Sequence, residues 1–304
     1  MKFVSYKMEE KQSFSLGVVS GDETYIWDLK ALHHASEKGT DYPETMLQAI
    51  EKGETFIKEV NKWINFGKSC SDPSIYQESA AEAIIGPPIP RPPKHILCVG
   101  KNYREHALEL GTEADIPTDI MMFTKPPTSI IGQGDAIDPH PSLTDALDYE
   151  GELAVVIGTG GRNISREDAL KHVFGYTIIN DVTARDLQAR HKQFFIGKSL
   201  DTFCPMGPWV VHSSLITDPH SLNIKTKVNG EIRQDSSTEH FIFPIDEIIS
   251  VLSKGMTLEP GDIIATGTPA GVGKGFKPPK YLKPGDTIEV EIEGIGVLHN
   301  IVKE

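Results

Sequence analysis

The sequence contains little cysteine and no long apolar run. Three cysteines occur in 304 residues, Cys70, Cys98 and Cys204, and none belongs to a CxxC pair. An odd number of widely spaced cysteines argues against a disulfide framework or a zinc knuckle, so Cys98 and Cys204 are expected to be small core residues. The longest apolar runs have the length of a strand, which excludes a helix that spans a bilayer. Residues 1–7 lack the apolar stretch of a signal peptide, so we expect a cytoplasmic protein without membrane contact.

Basic residues are scarce relative to acidic ones. The chain has 30 Lys and Arg against 43 Asp and Glu, so its formal net charge is −13. No basic tract offsets the long-range repulsion, which excludes non-specific binding to nucleic acid or anionic lipid. A small anionic substrate would need a local group of cations, although each cation taken alone is more often a solvated surface charge. The cations within or beside the candidate site segments are Lys101, Arg104, Lys125, Arg185, Arg190, Lys192 and Lys198.

Several catalytic motifs are missing or incomplete. Gly158–Asn163 follows an apolar run but lacks the third glycine of GxGxxG, and it indicates a turn rather than a dinucleotide site. Gly271–Gly275 superficially resembles a phosphate loop, yet Thr268 occupies the position of the required earlier glycine, and Gly275 that of the magnesium-binding Ser or Thr. Neither HExxH nor GxSxG occurs. These absences exclude an NTPase and leave zinc proteolysis and serine hydrolysis without support.

Two glutamates open a run that is otherwise apolar. Residues 148–157 read Asp-Tyr-Glu-Gly-Glu-Leu-Ala-Val-Val-Ile. In a strand Glu150 and Glu152 point to the same face, with Cα atoms roughly 6.5 Å apart. Two bare anions on one face of a core strand repel each other and are poorly solvated, so they require protonation or a cation between them. The ordinary alternative is a strand end at which both glutamates face solvent.

A second apolar run, residues 174–180, is followed directly by Asp181. Ligands often collect at strand ends, so Glu150, Glu152 and Asp181 are predicted to converge on a site of three carboxylates. Hard oxygen donors of this kind suit a divalent cation, and positions would remain open for water or substrate. The sequence therefore predicts a metal site at the end of two neighbouring strands.

Residues 1–85 are predicted to form a small N-terminal α+β domain. The polar Ser20–Glu23 segment predicts a hairpin, and the apolar spacing over residues 43–66 predicts a helical stretch that Gly53 interrupts. Residues 86–93 contain five prolines. Because proline continues neither a helix nor a central strand, this stiff linker is the predicted domain boundary.

Residues 94–304 are predicted to form the second, catalytic domain, in which strands outnumber helices. A helix capped at Ser165 is predicted between the strands that lead to Glu152 and Asp181. The elements do not follow a regular alternation of strand and helix. We predict an α+β, mainly β fold in which a mixed, mostly antiparallel sheet folds into a sandwich or roll.

Five segments, in this order along the chain, resemble the fumarylacetoacetate hydrolase family. The resemblance extends from about residue 94 to the end, which is roughly two thirds of the chain. Residues 1–85 resemble the small N-terminal domain of many bacterial members. The resemblance implies the family's C-terminal β-sandwich roll and a homodimer. The matching segments are residues 99–107, 148–157, 180–188, 197–208 and 261–273.

The resemblance implies a metal and a proton-transfer pair. Glu150, Glu152 and Asp181 match the family's ligands for Mg²⁺ or Mn²⁺, with one ion per subunit. His106 and Glu109 match a pair that activates water in members whose lid orders over the substrate. Three residues apart on a helix, the two side chains are neighbours, so the carboxylate can orient the imidazole. A lone His-x-x-Glu is more often an ordinary surface pair.

Further matches imply contacts with the substrate. Lys198 matches a catalytic lysine near the metal that stabilises developing negative charge, although by itself it could equally be a structural ion-pair partner. Gly267 and Thr268 match a loop that offers donors to a substrate carboxylate. The full set of predicted substrate-binding residues is Lys101, Tyr103, Arg104, Lys125, Arg185, Gln188, Gly267 and Thr268.

The resemblance implies metal-dependent cleavage of a C–C bond in short α-keto diacids. Oxaloacetate decarboxylation to pyruvate and CO₂ is the first prediction, with hydrolysis of an acylpyruvate or fumarylpyruvate at the same site. A cation that binds the carboxylate and carbonyl oxygens would make the carbonyl a better electron acceptor for each reaction. The second prediction is an isomerase or decarboxylase of 2-hydroxyhepta-2,4-diene-1,7-dioate in aromatic catabolism. A protein of another class, a low-turnover binding or scaffold module, could keep the same fold.

Overall fold

The computed structural model describes residues 1–36 and 41–304. Strand makes up 32% of it and helix 28%, so the predicted α+β, mainly β class is confirmed. None of the helices in these two ranges has both the length and the apolar character that a membrane span requires.

The strands and helices of the described residues are short, and most strands pair antiparallel. The strands are β1 (Lys2–Lys7), β2 (Ser15–Val19), β3 (Tyr25–Asp28), β4 (Gln77–Ser79), β5 (Ile84–Ile85), β6 (Ile96–Gly100), β7 (Met121–Lys125), β8 (Ile130–Ile131), β9 (Ala136–Ile137), β10 (Leu147–Asp148), β11 (Gly151–Ile157), β12 (Val173–Asn180), β13 (Thr183–Ala184), β14 (Cys204–His212), β15 (Asn223–Val228), β16 (Glu231–Ser237), β17 (Ile263–Ala265), β18 (Thr287–Ile292) and β19 (Gly296–Val302). The helices are α1 (Leu29–Ser36), α2 (Met46–Glu51), α3 (Glu54–Ser69), α4 (Arg104–Leu110), α5 (Arg185–His191), α6 (Phe194–Lys198) and α7 (Ile245–Gly255).

Two large sheets build the fold. The first has the order β4-β3-β2-β1-β14-β12-β11-β17-β6-β7, with β5 attached to β1 and β8 to β14. The second has the order β16-β15-β18-β19-β9, and β10 and β13 form a separate pair. Parallel pairing is limited, within the described residues, to β6 with β17, β8 with β14 and β9 with β19. The predicted mixed, mostly antiparallel arrangement is therefore confirmed.

Strand β11 lies inside the first sheet and is buried along its whole length. Its alternate side chains enter two different cores. Leu153 and Val155 share a core with Val290 of the second sheet, whereas Ala154 and Val156 belong to the core under the N-terminal helices. Because both faces are covered, the strand sequence is continuously apolar instead of alternating with polar residues. A charged residue at its beginning is therefore buried as well.

The N-terminal strands extend the sheet that carries β11. Strand β1 pairs antiparallel with β14, and Phe3 lies opposite Val210. One core contains Phe3 and Trp63 together with Ile96, which follows the proline-rich segment. The predicted domain boundary at residues 86–93 thus lies between two parts of the chain that share a sheet and a core.

Three local predictions are confirmed. The Ser20–Glu23 segment connects the paired strands β2 and β3. Gly53 separates α2 from α3 with a φ of +56°, a backbone conformation that is easier for glycine than for other residues. Cys98 and Cys204 are free and fully buried, as small core residues.

The predicted helix capped at Ser165 is wrong. The Ser165 hydroxyl accepts the N–H of Asp168 at 3.2 Å, as a helix cap would. The chain nevertheless forms only a 3₁₀ turn, Ala169–His172, before β12 begins at Val173. The carbonyl of His172 accepts the N–H of Gly158 at 2.7 Å, so the turn is tied to the end of β11. This tertiary bond overrides the local helix signal.

Close packing between β12 and β14 leads to a stability prediction. An added Cβ at Gly175 would lie 2.2 Å from the carbonyl oxygen of Val211. We expect Gly175→Ala to lower the free energy of unfolding by about 1–3 kcal/mol, because backbone on both sides must shift. The matched control is Gly255→Ala, since a Cβ there meets no atom of the described residues within 4 Å. Urea titration of both variants is the measurement, and equal midpoints would contradict this packing.

Candidate active site

Three carboxylates converge where β11 begins and β12 ends. Glu150 directly precedes β11, Glu152 is the second residue of that strand, and Asp181 directly follows β12. The pairing of Gly151 with Asn180 brings these two ends together. One carboxylate oxygen from each of the three acids lies within 4.8 Å of the other two, and all three residues are buried.

Two lysines lie against the carboxylates. Lys198, the last residue of α6, donates to Glu150 Oε2 at 2.8 Å, to Asp181 Oδ2 at 2.6 Å and to Thr183 Oγ1 at 2.9 Å. Lys125, at the end of β7, donates to Asp181 Oδ1 at 2.5 Å. Both ammonium groups are almost completely buried. Such burial of a charge is tolerated because the partner charges are in direct contact.

Arg185 connects the carboxylate site to Asp148. Its Nε donates to Asp148 Oδ2 at 2.8 Å, and its Nη1 contacts Glu150 Oε1 at 2.7 Å and Gln188 Oε1 at 3.3 Å. Its Nη2 is buried and has no hydrogen-bond partner among the described residues. Sequence reasoning missed the role of Asp148, although this residue stands at the head of the segment that identifies the site.

The acids differ in how their charges are compensated. Burial by itself would raise the pKa of Glu150, but the charges of Lys198 and Arg185 outweigh it and lower that pKa. Burial raises the pKa of Glu152 well above its ordinary value, and the charges of Asp181 and Glu150 raise it further. No cationic side chain of the described residues forms an ion pair with Glu152. Glu152 is therefore the acid that lacks a cation.

The donor set fits a hard divalent cation. Converging carboxylate oxygens are the ligands that Mg²⁺ and Mn²⁺ prefer. The amide N–H of Gly267 donates to one Glu152 oxygen, Oε2, at 2.8 Å, which orients the carboxylate. A cation bound by Glu150, Glu152 and Asp181 would supply the positive charge that Glu152 lacks. The buried acidic triad could thus hold a metal ion.

His106 and Glu109 form a pair on α4. The Nδ1 of His106 lies 2.8 Å from Glu109 Oε1, so an imidazole with its proton on Nδ1 donates to the carboxylate. The other Glu109 oxygen accepts the N–H of Gly271 at 3.0 Å. The His106 ring is buried. Nε2 is then the imidazole nitrogen that is left for proton transfer.

A cavity of about 270 Å³ lies between α4 and the carboxylate site. Its wall combines the acids Glu150 and Glu152 with apolar side chains such as Phe123 and Phe194. The predicted site residues that line it are Lys101, His106, Glu150, Glu152, Arg185, Gln188, Lys198 and Thr268.

Four predicted substrate-binding residues are not in the wall of this cavity. Tyr103 and Arg104 line a different cavity, and Arg104 forms an ion pair with Glu113 at 2.7 Å. Lys125 contacts Asp181 and is fully buried, and the N–H of Gly267 is used by Glu152. The positions of Lys125 and Gly267 support an indirect role, in which they hold the acids. They do not support a substrate contact for Tyr103 or Arg104.

Two further lysines, Lys192 and Lys274, line the same cavity. Neither ammonium forms an ion pair with a described residue, whereas that of Lys101 lies 3.3 Å from Asp115. Lys274 is largely exposed, yet partial desolvation and the charge of Arg185 lower its pKa. Sequence reasoning noted Lys192 only as a neighbouring cation and overlooked Lys274, which lies inside the rejected phosphate-loop motif. Its place directly after the segment 261–273 was the available signal.

Fold and site together define a mainly β protein that buries three carboxylates beside a His–Glu pair. The family model described as fumarylacetoacetate (FAA) hydrolase, C-terminal, matches residues 95–303. The chain belongs to the fumarylacetoacetate hydrolase family, which confirms the resemblance seen in its five segments.

Relatives of the chain are similar over its whole length. Oxaloacetate tautomerase YisK of Bacillus subtilis (strain 168) is 51% identical over 301 residues, which cover 99% of this chain and 99% of that protein. A fumarylacetoacetate hydrolase structure from psychrophilic Exiguobacterium antarcticum is 42% identical with a TM-score of 0.81, covering 100% of this chain and 99% of its own. Maleylpyruvate hydrolase from Sphingobium sp. SYK-6, solved with manganese(II) and pyruvate, is 30% identical with a TM-score of 0.77 and the same coverage.

The uncompensated charge of Glu152 leads to a prediction on metal binding. We expect Glu152→Gln to weaken Mn²⁺ binding by at least about 100-fold, because loss of even an outer contact costs 10–100-fold. The metal-free variant should melt no lower than the metal-free wild type, because glutamine still accepts the Gly267 N–H and removes a repulsion. Calorimetric titration with Mn²⁺ and melting in EDTA are the measurements.

The control for this experiment is Glu239→Gln, an exposed acid outside the site. It should bind Mn²⁺ as the wild type does. Unchanged Mn²⁺ affinity in Glu152→Gln would show that the three acids are not the ligands.

Proposed function

We propose that this chain acts on oxaloacetate and related short α-keto diacids, and that it interconverts their enol and keto forms. The hydrogen bond between His106 and Glu109 at the wall of the cavity carries the proposal, because it provides a proton-transfer group opposite the acids. The name of the Bacillus subtilis relative, an oxaloacetate tautomerase, supports the choice of substrate.

Glu150, Glu152 and Asp181 would hold Mg²⁺ or Mn²⁺. When bound, such an ion supplies a Lewis acid for the carbonyl and carboxylate oxygens of an α-keto acid. The structure of the Sphingobium relative with manganese(II) and pyruvate supports this pairing of ion and ligand class. Arg185 lines the same cavity, and its Nη2, which has no hydrogen-bond partner among the described residues, is a donor for a substrate carboxylate.

Proton transfer is the step that the side chains can perform. In the keto-to-enol direction, Nε2 of His106 removes a proton from C3. The electron pair of the broken C–H bond forms the C2–C3 double bond, and the π pair of the carbonyl moves onto its oxygen. Glu109 stabilises the imidazolium that forms. The charge of Lys198 stabilises the negative charge on the oxygen, and the pair of Glu150 and Asp181 keeps this ammonium protonated, since they raise its pKa although burial lowers it. The imidazolium returns the proton to the oxygen to complete the enol.

Oxaloacetate has a second carboxylate, remote from its keto group, which is the one lost as CO₂. Cations that bind this carboxylate would favour tautomerisation over decarboxylation. Lys192 and Lys274 have no ion-pair partner among the described residues and line the cavity that would hold the substrate. A cation stabilises a carboxylate but not the neutral CO₂ that it would become, so it opposes loss of CO₂.

Cleavage of a C–C bond, the first prediction from the sequence, is the second candidate. Oxaloacetate decarboxylation requires only that the electron pair of the broken bond move onto the keto group. The charge of Lys198, which lies beside the acids, would stabilise the negative charge that develops on the oxygen of that group. Hydrolysis of an acylpyruvate additionally requires water activated by His106. The ratio of these activities decides between the candidates.

The proposed function predicts different effects of one substitution on two reactions. We expect His106→Ala to lower the rate of oxaloacetate tautomerisation by about 10²–10⁴-fold, which is the usual contribution of a positioned base. Decarboxylation should fall much less, because it needs no base. The enol absorbance follows tautomerisation in the presence of Mn²⁺, and a coupled pyruvate assay follows decarboxylation.

The control for this experiment is His240→Ala, since that histidine is largely exposed and outside the cavity. If His106→Ala slows both reactions equally, the proposed role of the His106–Glu109 pair is wrong. A wild type that releases pyruvate faster than it tautomerises would make decarboxylation the function.

A second prediction concerns the distal carboxylate. We expect Lys274→Gln to raise the KM for oxaloacetate about tenfold with little change in kcat, because it removes a charged contact present in both ground and transition states. The ratio of decarboxylation to tautomerisation should rise. Steady-state kinetics of Lys274→Gln against Lys277→Gln, an exposed lysine of the same segment that is not among the residues lining the cavity, is the measurement. An unchanged KM would exclude Lys274 from substrate binding.

A further inference from the structure

The glycine-rich segment that fails as a phosphate loop binds carboxylates of its own chain. The N–H of Gly271 donates to Glu109 Oε2 at 3.0 Å. The N–H groups of Gly273 and Lys274 donate to the two oxygens of Asp148 at 2.7 and 3.0 Å. Successive backbone N–H groups form a favourable concave site for anions. The anions here are two side chains of the candidate active site. Glu109 belongs to the His106–Glu109 pair, and Asp148 belongs to the cluster of buried charges around the carboxylate triad.

Gly275 leaves the space in which the Glu109 carboxylate lies. An added Cβ at Gly275 would lie 2.2 Å from Glu109 Oε2, and the nearest three atoms around it all belong to Glu109. The opposite oxygen, Oε1, is the one that contacts His106 at 2.8 Å. A side chain at position 275 would therefore push the carboxylate away from its place beside the imidazole.

Gly273, in the middle of the loop, likewise leaves space for a carboxylate, that of Asp148. An added Cβ at Gly273 would lie 2.6 Å from Asp148 Oδ1. Asp148 accepts a hydrogen bond from Arg185 at 2.8 Å, and Arg185 contacts Glu150 at 2.7 Å. A continuous path of direct contacts thus leads from the loop to the carboxylate triad.

We propose that the loop Gly271–Gly275 is a positioning element that sets Glu109 against His106 and, through Asp148, sets Arg185 against the carboxylate triad. The loop does not touch the reacting atoms through its glycines, and its role is to fix the distance between the proton-transfer pair and the acids. The proposal rests on the proposed role of His106 in proton transfer.

Gly275→Ala tests the proposal without a change of backbone strain. The φ of Gly275 is outside the left-handed region, and the obstructing atoms are the end of one flexible side chain. We expect the melting temperature to stay within about 2 °C of the wild type, since the carboxylate can rotate away at low cost. The kcat for tautomerisation should fall at least about tenfold, with the KM for oxaloacetate changed less than about twofold.

A double-mutant cycle separates positioning from other effects. If Gly275 acts through Glu109, Gly275→Ala should have no further effect on kcat in a Glu109→Ala background. Gly255→Ala is the matched control and should leave kcat unchanged, because a Cβ at this position has no neighbour within 4 Å in the part of the chain that the structure describes. Additive losses in the cycle, full activity of Gly275→Ala, or a fall in melting temperature of more than about 5 °C would each overturn the proposal.

A spectroscopic readout distinguishes failure of this proposal from failure of the proposed function. A histidine Nδ1–H bonded to a carboxylate gives a proton NMR signal at low field, and this signal needs no turnover. We expect it in the wild type and not in Gly275→Ala or Glu109→Ala. If the wild type does not tautomerise oxaloacetate but the signal follows this pattern, the proposed function fails and the loop keeps its positioning role. If the signal persists in Gly275→Ala, the positioning role fails.

Discussion

The architecture of this site depends on the balance of buried charge at the beginning of β11. Burying an ionised group is costly unless a partner charge is in contact with it, so each acid restricts where the cations must lie. Lys125 comes from β7, Arg185 from α5 and Lys198 from α6, and each contacts one or two acids. Four carboxylates and three cations are buried together in this cluster. Its members are Asp148, Glu150, Glu152, Asp181, Lys125, Arg185 and Lys198.

The fold holds the acids and the His106–Glu109 pair in different ways. Strands β11 and β12 are buried on both faces, so the acids at their ends are held by two packed cores. The proposed proton-transfer pair, His106 and Glu109, lies instead on the short helix α4, and Glu109 accepts the N–H of Gly271. Chemistry that moves a proton needs its base at a defined distance from the acids. A short loop that binds both halves provides that distance.

The distribution of charge along the cavity connects the site to its proposed substrates. Arg185, Glu150 and Glu152 line this cavity together with Lys192 and Lys274, and these two lysines have no ion-pair partners among the described residues. An α-keto diacid has a carboxylate at each end and matches such a cavity in a chain whose net charge of −13 otherwise repels anions. In the proposed function, binding of the second carboxylate of the substrate by these lysines would favour proton transfer over loss of CO₂.

The sequence by itself determined the features that depend on local periodicity. Alternation along a strand predicted that Glu150 and Glu152 share a face, and spacing on a helix predicted that His106 meets Glu109. Five ordered segments were sufficient for the family and its mainly β fold. Local signals failed at Ser165, because a distant hydrogen bond to the end of β11 competes with the helix there.

Only the tertiary structure decided which cations face which acids. Asp148 and Gly273 are 125 residues apart, and Glu109 and Gly271 are 162 apart, so no local pattern could join them. Tyr103 and Arg104 belong to a matching segment, 99–107, yet they line a different cavity. The joining of the N-terminal strands to the sheet of β11 likewise depends on long-range pairing with β14. Contacts of this kind are set by how sheets pack and not by spacing along the chain, which is why they appear only in the folded molecule.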